Sequence, residues 1–135
     1  MDYSNVREKL FAEFPEFKRA TWEMFSSTFD VDSGDAEEMP GAYLVFEDIV
    51  QKRMFELLAS GSDDAFLQRV FDFFEVMAGA EDVNVSRDLL GIAIVEPLVY
   101  RKDDLRKAWR FMGPRMKAEA IREADQQKRP ENLPE

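Results

Sequence analysis

The side chains in this chain that could do chemistry are carboxylates, because it contains no histidine and no cysteine. Without histidine there is no side chain whose ordinary pKa places a charge change near neutrality, and the commonest metal ligand is missing. Without cysteine there are no thiolate nucleophiles, no thiolate metal sites and no disulfides. Two glutamates lie in strongly apolar surroundings: Glu75 within Phe73-Phe74-Glu75-Val76-Met77, and Glu96 within Ile94-Val95-Glu96-Pro97-Leu98. Acid–base catalysis would need two such groups facing one pocket with their pKa values pushed apart. A carboxylate on an apolar helix more often lies at the solvent edge or against an arginine, and that is the expectation here. Ser26-Ser27 and Ser60-Gly61-Ser62 lack an imidazole to act as their base.

The run Asp30-Val31-Asp32-Ser33-Gly34-Asp35 invites comparison with a helix–loop–helix calcium site. Such a loop places oxygen ligands at positions 1, 3 and 5, glycine at 6 and a bidentate glutamate at 12. Counted from Asp30, those last three positions fall on Gly34, Asp35 and Gly41, so the register fails three times. A solvated acidic loop is the expectation, and an irregular cation site the minor alternative. There is no glycine-rich loop ending in Lys-Ser or Lys-Thr and no dinucleotide fingerprint. The sequence thus predicts no cofactor, no metal and no enzyme.

Charge carries more information. No lysine or arginine occurs between Ala20 and Gln51, whereas Glu23, Asp30, Asp32, Asp35, Glu37, Glu38, Glu47 and Asp48 all do. Residues 1–100 hold 21 acidic and 8 basic residues, a net of −13. Residues 101–135 hold 7 acidic and 10 basic residues, a net of +3, including Arg101, Lys102, Arg106, Lys107, Arg110, Arg115 and Lys117. The overall charge of −10 repels phosphates and anionic lipid and attracts basic partners. No nucleic acid and no membrane are expected as partners. The basic C-terminal third lacks aromatics interleaved for base stacking apart from Trp109, so its expected role is packing and helix-face ion pairs such as Asp103 with Lys107.

The elements that position these residues read as helices. Phe66, Leu67, Val70, Phe71, Phe74 and Met77 recur at spacings of three and four, with Asp63 or Ser62 as N-cap and Gly79 as stop. Phe73 falls off that stripe. Gly41 to Ser60 reads as a helix with Tyr43, Phe46, Ile49, Val50, Leu57 and Leu58 inward, although the apolar run Tyr43–Phe46 leaves a strand open. Val6, Leu10 and Phe14 mark a first helix. Pro15 opens a second, in which Phe17, Thr21, Trp22 and Phe25 share a face. A helix through Leu89, Ile92 and Val95 is expected to end near Pro97, and others run from about Asp103 to Met112 and onward from Pro114. The expected fold is all-α: a single domain of six to seven helices over residues 1–125, arranged as antiparallel hairpins, with a short solenoid-like array as one option. Residues 29–40 form its acidic loop and 126–135 a polar, frayed tail. The polar N-terminus and the absence of an apolar run of roughly 18 residues indicate a cytoplasmic chain.

Phe11…Phe14-Pro15-Glu16, Val70-Phe71-Asp72-Phe73-Phe74-Glu75, Gly91-Ile92-Ala93-Ile94-Val95-Glu96 and Met112-Gly113-Pro114-Arg115-Met116-Lys117 together resemble small acidic helical bacterial proteins. Among these are suspected immunity proteins of contact-dependent inhibition and related polymorphic toxin systems. The resemblance implies a protein-binding module that neutralises a basic, nuclease-type toxin domain by covering it with carboxylates. It carries over no functional residue. From the charge map, the expected partner-binding residues are Asp30, Asp32, Asp35, Glu37, Glu38, Glu47 and Asp48, with Tyr43 or Phe46 as apolar anchor. The alternative is a non-toxin helical adaptor or regulatory protein, with a homodimer open to it.

Overall fold

The computed structural model describes residues 1–26 and 39–134, and all the regular structure among them is helical. Seven helices follow one another: α1 Val6–Glu13, α2 Pro15–Phe25, α3 over residues 42–60, α4 Asp64–Ala78, α5 over residues 83–100, α6 over residues 102–111, and α7 Pro114–Gln126. A 3₁₀ turn, Pro130–Asn132, closes the described chain. One continuous apolar core takes residues from all seven helices, which makes this a single all-α domain. The run Tyr43–Phe46 is helical, and the strand reading falls away.

The centre is α4. Asp63 caps it through Oδ1, which accepts from the Phe66 N–H at 3.1 Å, and Leu67, Val70, Phe71, Phe73, Phe74 and Met77 are all buried. Burying each such side chain is worth about 1.5–3 kcal/mol. Phe73, off the main stripe, meets Phe14 edge-on with centroids 6.0 Å apart. With apolar residues on so much of its circumference, α4 packs against α3, α5, α6 and α7. This wrapping replaces the solenoid-like option, in which each unit would touch only its neighbours in sequence.

Two long helices depart from ordinary α winding. Over Phe46–Val50 in α3, and over Asn84–Leu89 and Gly91–Val95 in α5, the backbone bonds i to i+5. Such stretches are rare and usually a single turn long. The sequence places the end of α5 near Pro97, yet the helix continues to Tyr100. Proline has no N–H, so one donor is missing from the helix ladder there. Gln51 Nε2 donates to the Ala93 carbonyl at 2.6 Å, a side-chain bond from α3 into α5 just before that gap. The two π-wound helices are fastened at that point.

Other expectations also shift. In α2, Phe17 and Thr21 are buried and the Thr21 hydroxyl donates to the Phe17 carbonyl at 2.7 Å, but Trp22 is 39% exposed. In the tail from Gln126, expected to fray, residues 127–133 form hydrogen-bonded turns. Lys128 takes a left-handed φ of 56°, the Arg129 N–H donates to the Ala124 carbonyl at 2.8 Å, and the Lys128 N–H donates to the Asp125 carbonyl at 3.2 Å. That pairing is a Schellman motif with lysine where glycine is usual. Beyond it Asn132 Nδ2 donates to the Val99 carbonyl at 2.8 Å, closing the C-terminal end of α5. Among the described residues no helix is long and apolar enough to cross a membrane.

Candidate protein-docking groove

Five of the sequence-expected contact residues, Asp30, Asp32, Asp35, Glu37 and Glu38, lie outside the described residues. The remaining four are on the first half of α3, and the helix separates them. Phe46 is completely buried and cannot anchor a partner. Consecutive residues on a helix point roughly 100° apart, so an unbroken apolar run cannot stay on one face. Val45 and Phe46 fall into the core, and Leu44 points outward. Tyr43 is half-buried with its ring 5.9 Å from that of Tyr3. Burial, followed by the nearby Asp88, Tyr3 and Glu47, raises its phenol above the usual tyrosine range. Glu47 therefore belongs with Tyr43 and Asp88, whereas its neighbour Asp48 faces α2.

On that second side, α2, α3 and the start of α4 enclose an open groove of about 450 Å³. Its apolar lining is Phe17, Ala20, Met24, Ile49 and Phe66. The α2 bank carries Glu16 on its first turn and Glu23 on its last. The α3 bank carries Asp48, Lys52 and Glu56, spaced i, i+4, i+8 and hence along one edge of the helix. Arg53 also reaches the groove and pairs with Glu56 at 3.3 Å. Among the described residues Glu16, Glu23 and Asp48 have no ion-pair partner. Met24 is 49% exposed. Apart from Asp48, the sequence reading did not assign these residues to the site. The acid–base–acid row on α3 was available as a signal, as was Glu23, already within the lysine- and arginine-free stretch.

The carboxylates first considered for catalysis prove to be placed differently. Glu75 Oε1 accepts from the Arg115 N–H at 2.8 Å and Oε2 from the Met116 N–H at 2.9 Å, so both oxygens cap the N-terminus of α7. Gly113 and Pro114 complete the joint. Gly113 supplies no side-chain cap, and a Cβ there would lie 2.5 Å from the Glu75 carboxyl carbon, so any other residue would push the carboxylate out of its capping position. Glu96 is half-buried on α5. Among the described residues no group of three or more His, Cys, Asp or Glu side chains could hold a metal ion.

Several cations of the C-terminal third are engaged within the domain. Arg101 lies over the Phe55 ring at 3.9 Å and pairs with Asp104 at 3.8 Å, taking the place of the expected Asp103–Lys107 pair. Arg110 pairs with Asp64 at 2.8 Å, Arg106 donates to the Glu131 and Leu133 carbonyls, and Lys117 sits over Trp109. Arg69, on α4, donates to the Glu13 carbonyl at 3.0 Å and covers the Phe14 ring, closing the end of α1.

No curated protein and no solved structure matches the chain. Residues 7–129, from α1 through the turn that ends α7, match a family described as a domain of unknown function, and the chain belongs to that family, DUF7674.

Proposed function

We propose that this domain is a protein-binding module that captures a basic partner on the groove between α2 and α3, and that its specific role is that of an immunity protein inhibiting a nuclease-type toxin domain. The observation that carries the reading is the lining of the groove: an apolar floor with three carboxylates, Glu16, Glu23 and Asp48, that have no ion-pair partner among the described residues. An inhibitor of a nuclease must cover a surface built to attract phosphates, and ordered carboxylates speed that encounter and disfavour wrong partners. Of the lysine- and arginine-free stretch from Ala20 to Gln51, Glu23 and Asp48 stand on opposite banks of the groove.

The test is co-expression with the nuclease-type toxin domain encoded beside the gene, together with association rates at two salt concentrations. Protection of the cells is expected, with an association rate that falls about tenfold or more between low and physiological salt. Glu23→Lys and Asp48→Lys together should reduce the low-salt rate by a similar factor. Absence of both protection and binding would remove the immunity role. Binding that is indifferent to salt and to both reversals would remove the groove.

A further inference from the structure

We infer that the partner segment entering this groove is a short amphipathic helix, apolar on the face turned inward and carrying lysine or arginine on its flanks. The inference rests on the protein-binding reading above and specifies the chemistry of its ligand. Backbone geometry comes first. Both banks are helices whose N–H and C=O groups bond along their own axes, and no strand occurs among the described residues. The groove thus offers a visiting chain no ladder of backbone donors and acceptors. A segment buried there must satisfy its own backbone, and a helix is the form that does so.

Shape and charge agree. Asp48, Lys52 and Glu56 cover eight residues of rise, about 12 Å, so the α3 bank matches roughly two turns of a helix laid alongside. A volume of about 450 Å³ admits a few apolar side chains and not a whole helix, which places the visitor across the mouth with its anchors inserted. The floor those anchors would meet includes Met24, an unbranched and polarizable side chain suited to surfaces that adapt to a ligand. Four carboxylates against Lys52 and Arg53 give the rim a negative balance that a basic flank would complement.

The experiment uses the full chain and three fluorescent peptides of roughly 14 residues, about four helical turns. One is an amphipathic leucine–lysine peptide with leucines at i, i+3, i+4 and i+7, the second has the same composition scrambled, and the third carries the same charge on a glycine–serine backbone. Anisotropy gives affinity, methyl NMR of the methionines locates the site, and sedimentation reports self-association. The amphipathic peptide should bind at least tenfold tighter than either control and shift the Met24 methyl. It should lose about tenfold in affinity with Glu23→Lys plus Asp48→Lys, and likewise with Met24→Glu, a change at an exposed position that leaves the core intact. Equal binding of all three peptides would overturn the helix inference while leaving the basic-partner reading in place. Failure of every peptide at low salt would overturn both. Self-association that blocks the peptide would assign the groove to a second copy of the chain and overturn the inference as well.

Discussion

Glu75→Ala should destabilise the domain by about 2–3 kcal/mol, an effect large for a side chain that is only half-buried. The carboxylate accepts two backbone N–H groups at 2.8 and 2.9 Å, at the second and third positions of α7. A hydrogen bond to a charged group is worth about 1.5–3 kcal/mol, and a negative charge at a helix N-terminus adds about 0.3–1 kcal/mol. Water can replace part of this because the Arg115 N–H is exposed, which brings the sum down to about 2–3 kcal/mol. Glu75→Gln keeps an acceptor but loses the charge, and should cost about 1–1.5 kcal/mol. Urea denaturation followed by circular dichroism measures both, with unchanged m-values showing that folded and unfolded states are otherwise intact. In thermal melts the alanine variant should lose about 8–12 °C. Gly113→Ala supplies an internal control: its Cβ collides with the Glu75 carboxyl group, so it should be destabilising in the native protein and nearly neutral in the Glu75→Ala background. If both Glu75 variants stay within about 0.5 kcal/mol of the native protein, a size typical of inert surface changes, the carboxylate does not hold α7 and the reasoning fails.

Gln51→Ala should cost about 0.5–1.5 kcal/mol by removing the hydrogen bond that ties α3 to the Ala93 carbonyl of α5; urea denaturation reads the loss, and unchanged stability would sink the idea. Lys128→Gly should raise stability by several tenths to about 1 kcal/mol, because glycine occupies the left-handed region at φ 56° without the steric cost that lysine bears; a lower melting temperature would contradict the Schellman turn. Tyr43, raised above the ordinary phenol range by burial and then by Asp88, Tyr3 and Glu47, should give a component above that range in an alkaline absorbance titration, and Tyr43→Phe should remove it. The sign for stability follows from the raised value: the contribution is complete below the unfolded pKa of about 10 and is lost as pH rises through the folded one, so Tyr43→Phe should flatten the alkaline fall in stability.

Helix identity was legible in the sequence wherever apolar residues repeat at three and four. α4 shows this best, because a stripe with an aspartate cap specifies both element and burial. Helix ends and surfaces were harder, for identifiable reasons. Pro97 signals a stop, yet α5 passes it just after its winding changes from π to α and where Gln51, more than forty residues away in the chain, bonds the Ala93 carbonyl. Trp22 follows Phe17 by five residues, about 140° round the helix, so the spacing already turned it away from the face that Phe17 and Thr21 share. Glu75 and Met112-Gly113-Pro114-Arg115 each looked like an isolated pattern, and the contact joining them exists only in the fold. At the groove, the sequence showed which stretch is acidic. It did not show that Glu47 and Asp48, adjacent in the chain, face different neighbours, because that depends on where α2 lies against α3.

The cap on α7 also imposes a direction in time. Glu75 leaves the ribosome some forty residues ahead of the backbone it will hold, since its partners are Arg115 and Met116. The carboxylate is thus already in the nascent chain when the last helix emerges, and that helix begins at Gly113-Pro114, a sequence that brings no cap of its own. A nascent chain halted before residue 113 would display α4 with an unclaimed anion, and completing the last helix would lock the C-terminal third onto an existing body. Synthesis from N- to C-terminus, rather than any single helix acting alone, would then set the order in which this domain closes.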